Sequence, residues 1–404
     1  MESALKNLGI PLDNKVILSI DGGGMRGILT IQLLKKLEAI AGSPCYEWCD
    51  MVAGTSTGAI IASLMLKKKN TKQIEELYME LVSKVFTKRN FFSDRYINPP
   101  KFDKVNYKKY LKDIMNDSTL EDACKEVNLD CLLTAKDMAA GEETFFTCFK
   151  NKEGSYIGTY KDVLLRAVVE ATMSAPTYFS PFDRFVDGGT TTYNNPTLVA
   201  VLEALDYTGK ERYQSDKLTV FSFGTGTTLR FINPDDIKDP KGPDIKFWLN
   251  YVMDETSKDA SEMQIDLLRS GLINGLDLRR YQISLDSKAI NKIPNKKIKD
   301  IHTINANWLH ELNDSELSKI DMSDVTKFSL MKIIGESMAE YICPSNEEGL
   351  AIEQQKGNWF RGDFITDKAT KRGILVSANG DNEYRELIKK QLSDKKWIDK
   401  QPTA

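Results

Sequence analysis

Histidine is almost missing from this chain: 404 residues hold two, His302 and His310. Both fall late, in a polar stretch with no glycine turn or strand end to present them. A histidine-centred reaction therefore has few places to be, although a Ser…Asp…His order leaves His302 open by position alone. Cysteine is sparse as well. The six (Cys45, Cys49, Cys124, Cys131, Cys148, Cys343) show no disulfide-framework spacing, and Cys45 and Cys49 have no histidine near them to complete a zinc site. Charge of one sign is lacking: 55 Lys+Arg against 58 Asp+Glu leave a net of -3. That gives no global attraction to a nucleic-acid polymer or an anionic membrane, so any such contact has to be local. The longest apolar run, 59–66, is far below the roughly 20 residues that cross a bilayer. Residues 1–15 carry no basic-then-apolar leader pattern. These absences lead us to expect a soluble protein of a reducing compartment.

What is present is ordinary in bulk, 41% apolar and 28% charged, enough for a sizeable core. Val16–Ile20 reads as a buried strand. It ends at Asp21-Gly22-Gly23-Gly24-Met25-Arg26-Gly27, after which Leu29, Leu33, Leu34, Leu37 and Ile40 recur at helical spacing until Gly42 and Pro44. Met51–Ala53 is a second strand, turning at Gly54-Thr55-Ser56-Thr57-Gly58 into a helix over 59–66. A further helix is expected over about 71–86, strands over 129–133 and 144–149, and a helix over 161–171. Strands follow at 184–186 and 218–223, a helix over 246–268, a strand over 281–285 and an amphipathic helix over 323–341. The fold class is α/β, with a mainly parallel central sheet flanked by helices and right-handed crossovers. Four strand ends carry glycine-rich turns, which places one crevice along that edge of the sheet. The stretch 86–96 is aromatic and basic, suited to packing or to a lipid headgroup surface.

The turn 54–58 has the form of a nucleophile elbow: Gly54 and Gly58 let backbones pass closely while the Ser56 hydroxyl is pushed out at the strand's carboxyl end. The plainer reading is that its hydroxyls cap a helix. Gly22 to Gly27 satisfies a dinucleotide fingerprint, but the next strand ends in Gly54-Thr55-Ser56 where that site wants an acid for the ribose. Its competing use is an oxyanion hole, with the N–H groups of Gly22, Gly23 and Gly24 aimed at one oxygen. Arg26 either holds this loop, adds positive potential, or forms a surface salt bridge. A serine nucleophile needs a base. Asp187 follows a strand and precedes Gly188-Gly189, which lets its carboxylate approach a neighbour; the alternative is an ordinary turn aspartate. As a base it needs partial desolvation to raise its pKa while staying ionised. Such a base suits ester leaving groups better than amines. A carboxylate-like acid limb is expected, distinguishable from the ordinary histidine value of ~6.5.

In that order and spacing, 21–27, 54–58 and 187–189 resemble the patatin-like phospholipases. The segments 171–179 and 222–227 and the helix over 322–341 are similar as well, so the resemblance covers residues 12–341. It implies a patatin-like three-layer α/β/α architecture and a Ser56–Asp187 dyad with no catalytic histidine. It also implies an oxyanion hole at Gly22, Gly23 and Gly24 with Arg26 nearby, and no metal or cofactor. Gly27, Gly54, Gly58, Gly188 and Gly189 match as motif glycines. The implied activity is hydrolysis of acyl esters in phospholipids or lysophospholipids at a membrane surface. Residues 12–341 would form the catalytic domain, and 342–404 a C-terminal extension of unassigned role. Alternatives are a phospholipase effector gated by a small-molecule activator, such as a cyclic nucleotide in antiviral defence, and a catalytically silent binding scaffold. Headgroup, acyl position and oligomeric state are not written in these motifs.

Overall fold

A computed structural model describes residues 1–86, 100–228, 245–286, 289–290, 293, 317, 320–343 and 373–376, the stretches 245–254 and 373–376 by backbone alone. His302, His310, 87–99 and nearly all of the basic stretch 292–299 lie outside the described residues. The strands are β1 (Lys15–Ile20), β2 (Met51–Thr55), β3 (Asp130–Asp137), β4 (Glu142–Lys150), β5 (Tyr156–Ile157), β6 (Phe185–Asp187), β7 (Leu218–Phe223), β8 (Asp277–Ile283) and β9 (Gly373–Val376). They form one sheet in the order β5-β4-β3-β2-β1-β7-β8-β9, with β6 also beside β3. Pairing is parallel from β3 through β9 and antiparallel where β4, β5 and β6 join. The mainly parallel sheet expected from the sequence is therefore present. β1, β2 and β7 are near-continuous apolar runs because parallel strands are covered on both faces.

The helices are α1 (Glu2–Asn7), α2 (Gly27–Ala41), α3 (Thr57–Leu66), α4 (Thr71–Val85), α5 (Val105–Met115), α6 (Leu120–Val127), α7 (Leu165–Thr172), α8 (Thr197–Leu205), α9 (Ile245–Arg269) and α10 (Phe328–Ile342). Alternate strand residues serve two cores. Val16, Leu18 and Ile20 pack with Leu33, Ile61, Leu81 and Ile334 from α2, α3, α4 and α10. Ile17, Met51 and Val220 pack with Val201 and Ile265 from α8 and α9. Helices thus cover both faces, giving three layers. All ten residues of α3 are buried, as a helix apolar on every side must be.

Some boundaries differ from expectation for visible reasons. Helix α7 starts at Leu165, not 161, because Leu164 stays extended in a bridge to Thr119. Strand β8 starts four residues before 281 because its charged residues are satisfied in place: Arg279 bonds Asp277, and Arg280 bonds Asp21. The sequence reading has no counterpart for helices α1, α5, α6 and α8, although the Thr119–Asp122 capping box that opens α6 is readable in sequence. Strand β9 falls within 342–404 and extends the same sheet. No helix among the described residues is long and apolar enough to cross a membrane.

Candidate active site

The site begins at the end of β2. Ser56 sits at φ 51, ψ -117, a region that costs a non-glycine residue on the order of 1–3 kcal/mol and survives only where surroundings impose it. Those surroundings are close backbones. A Cβ on Gly58 would meet the Ile20 carbonyl at the end of β1, and one on Gly54 would meet Gly58 and Ala59. The turn is then pinned by hydrogen bonds. The Ser56 N–H donates to Thr172 Oγ1 at 2.8 Å, and Thr55 Oγ1 donates to the Tyr193 carbonyl at 2.8 Å. Thr57 Oγ1 donates to the Gly24 carbonyl at 2.7 Å. Ser56 occupies the N-cap position of α3, yet its side chain makes no capping hydrogen bond. Its hydroxyl instead lies beside the Asp187 carboxylate, near enough to favour that group's ionised form, so capping does not account for this serine.

Asp187 reaches the same edge from the other direction. Strand β6 runs antiparallel to β3, with Asp187 opposite Ala135. Only three of the four glycine-bearing strand ends are therefore carboxyl ends of parallel strands; the fourth descends onto the crevice from outside the parallel set. A Cβ on Gly188 would strike Thr134, so the absent side chain lets β6 settle there. The Asp187 carboxylate accepts the Gly189 N–H at 2.7 Å, so it is a turn aspartate as well as a neighbour of Ser56. Its own N–H donates to the Ser174 carbonyl at 3.1 Å. Burial raises its pKa from 3.8 to about 6, against the nearby Ser56 hydroxyl and the Gly189 N–H, which lower it. Desolvation wins, as the sequence argument required, and the group is still ionised at neutral pH. The value also corrects one expectation: an acid limb near 6 no longer separates a carboxylate from an ordinary histidine.

The glycine loop after β1 is clamped peptide by peptide. The Gly22 N–H donates to the Asn194 carbonyl at 3.0 Å, which corrects the expectation of three N–H groups converging on one oxygen. The Gly22 carbonyl accepts from Thr225 Oγ1 at 2.7 Å. The Gly23 carbonyl accepts from the Arg26 N–H at 3.2 Å and from Arg26 Nε at 3.4 Å. A trans peptide points its N–H opposite to its C=O, so these bonds orient the Gly23 and Gly24 amides. Holding the loop is thus one of the uses open to Arg26 that the structure shows. Gly24 lies at φ 57 with the Met322 carbonyl against its α-carbon, and the Met25 N–H donates to that carbonyl at 2.8 Å. Gly27 is kept small by Thr57 and Tyr78. Behind the loop, buried Asp21 is held by both terminal nitrogens of Arg280.

Two hollows meet at this point. A polar cleft is lined by Gly22, Gly23, Arg26, Asn194, Thr225 and Lys258, and an apolar pocket by Ile60, Leu81, Val82, Phe86, Met173 and Phe179. Ser56, Asp187, Tyr178 and Met322 border both. Among the described residues, no group of three histidine, cysteine or acidic side chains is arranged to hold a metal ion.

The family model described as patatin-like phospholipase matches residues 18–201. Residues 18–201 form a patatin-like phospholipase domain. An intracellular phospholipase A2 of Caenorhabditis elegans is 28% identical over 52% of this chain and 19% of its own length. A calcium-independent phospholipase A2-gamma of Mus musculus is 29% identical over 53% of this chain and 30% of its own. A cUMP-AMP-activated phospholipase of Escherichia coli is 28% identical over 46% of this chain and 58% of its own. The chain thus spans less than two thirds of each of these relatives.

Ser56, Asp187 and the glycine loop all fall inside the patatin-like domain, and the structure brings them to one edge. Sequence reasoning missed their supports. Thr172 and Ser174 lie in a stretch noticed only as similar, and nothing local marks Thr172 as the acceptor for the Ser56 amide. Asn194, Thr225 and Met322 act on the glycine loop from 100 or more positions away in sequence, a coupling that no short motif records.

Proposed function

We propose that the protein is a lipid acyl hydrolase, cleaving ester bonds of phospholipids or lysophospholipids through a Ser56–Asp187 dyad. The observation that carries this reading is the Ser56 hydroxyl beside the buried carboxylate of Asp187, at the junction of a polar and an apolar hollow. Asp187 takes the Ser56 proton as Ser56 Oγ bonds to the ester carbonyl carbon. The oxygen of the tetrahedral intermediate is received by the Gly23 and Gly24 amides, a contribution of typically ~3–4 kcal/mol per donor. Collapse breaks the carbon–oxygen bond to the leaving alcohol, which takes the proton from Asp187. Water, deprotonated by the same carboxylate, then attacks the acyl-enzyme; the proton returns to Ser56 and the fatty acid leaves. The base is competent only when ionised, so kcat/KM rises with pH through about 6.

The apolar pocket suits the acyl chain and the polar cleft the leaving group. Release of fatty acid from phospholipid micelles tests the reading: we expect hydrolysis by the wild-type chain and none by Ser56→Ala of native fold. Equal rates for the two proteins would overturn it. The Escherichia coli relative, described as cUMP-AMP-activated, favours a second reading in which a cyclic dinucleotide gates the same site. Rates that do not move on addition of cyclic dinucleotides would discard it.

A further inference from the structure

Helix α9 lies outside the residues that match the family model, yet it builds one wall of the polar cleft with Ser257, Lys258 and Ser261. Positions three and four apart share a helix face, so one cation and two hydroxyls point the same way. Ser261 Oγ accepts from Asn195 Nδ2 at 3.0 Å and from an Arg280 terminal nitrogen at 3.4 Å. With its lone pairs engaged, its own proton is left to offer to an acceptor. The two carboxylates of the lining are committed elsewhere: Asp21 to Arg280, and Asp187 to the Gly189 N–H. Lys258 Nζ lies 3.5 Å from Glu255, both side chains about one-fifth exposed (23% and 20%). So long a pair, on one helix and partly in water, is worth little, and an incoming anion can displace Glu255. The acyl chain, seated among Ile60, Val82 and Met173, sends the leaving alcohol to the other side of Ser56, toward this wall.

We propose that Lys258, with Ser257 and Ser261, binds the phosphate of the leaving group and sets the preference for phosphorylated over neutral acyl esters. This rests on the dyad reading above and adds the substrate class that the cleft selects. Lysophosphatidic acid and monoacylglycerol of one acyl chain differ only by that phosphate, and they form the assay pair, both in neutral detergent micelles. In Lys258→Ala the ratio of kcat/KM for the phosphorylated over the neutral ester falls about tenfold, mostly through KM, the effect of one charge-assisted contact. Lys258→Glu lowers the ratio further, Lys258→Arg retains it, and Glu255→Gln raises it. Fluorophosphonate labelling of Ser56 at the wild-type rate in Lys258→Ala shows that the fold and dyad are intact. Equal losses on both esters, or a ratio that does not move in Lys258→Glu, would overturn the assignment while leaving the dyad standing. Inorganic phosphate that inhibits both esters equally marks a free-anion site and likewise overturns it. A wild-type chain that hydrolyses neither ester and takes no label would sink the dyad, and this inference with it.

Discussion

Ser56 and Asp187 border the same two hollows, but they are positioned by opposite means. Ser56 is placed locally. Its strained backbone is forced by Gly54 and Gly58 within one turn of itself, and by an α3 whose ten residues are all buried. Asp187 is placed from a distance: a three-residue strand laid antiparallel on β3, the Ser174 carbonyl and the small face of Gly188 hold it. The proposed nucleophile is therefore fixed within the central layer, and the proposed base is an arriving group whose proton affinity comes from its surroundings. Changes at the glycines that force the first should break reaction and backbone together, whereas changes at the second should alter proton affinity and leave the scaffold standing.

The largest expected effect is at the elbow. Gly58→Ala places a Cβ against the Ile20 carbonyl, where neither backbone can yield, and we expect a loss of more than about 3 kcal/mol or no folded protein, read by chemical denaturation. Ser56→Gly separates strain from chemistry at the same position. Hydrolysis should vanish, while stability rises by about 1 kcal/mol because glycine accepts φ 51 without cost. A stability loss in Ser56→Gly would mean that the elbow is not strained.

Next comes the arriving carboxylate. Asp187→Asn should cut kcat/KM by about a thousandfold or more, since general-base steps contribute 10²–10⁴. The same variant has a stability signature. Asp187 has a raised pKa in the folded state, so between 3.8 and about 6 the folded protein holds a proton the unfolded chain has lost. Stability falls as pH rises through that window, by on the order of 2–3 kcal/mol, and the penalty is fully present above it. Asp187→Asn should therefore be more stable than wild type at pH ~8 and lose that advantage at pH ~4. Parallel stability curves for the two proteins would show that the carboxylate is not desolvated.

The smallest effect sharpens the account of the glycine loop. Thr225→Val removes the hydroxyl that holds the Gly22 carbonyl and so loosens the Gly23 amide without touching Ser56. We expect kcat to fall roughly tenfold with KM little altered, the pattern of an interaction made only in the transition state. A change confined to KM would place Thr225 in substrate binding instead.

The same contrast explains what could be read in the sequence. Ser56 was legible because its constraint is written within five residues as glycines. The strand–turn–helix order and the alternation of Val16, Leu18 and Ile20 against Ile17 gave the layered sheet. Asp187 was legible as a residue but not as a geometry: nothing in 184–189 says that β6 runs antiparallel. Gly22 was misread because its amide is spent on Asn194, 172 positions on, and β8 was shortened because buried arginines look like surface. Contacts between remote segments were the part that no local pattern carried.

The central claim is that a carboxylate, with no histidine, activates Ser56. The rate at which a fluorophosphonate labels Ser56, followed by mass spectrometry across pH in wild type, Asp187→Asn and the double variant His302→Ala/His310→Ala, tests it most directly. The account predicts labelling that rises through about 6 in wild type and is retained in the double variant. In Asp187→Asn it should be slowed by orders of magnitude. Wild-type labelling in Asp187→Asn, or its loss in the histidine double variant, would contradict it.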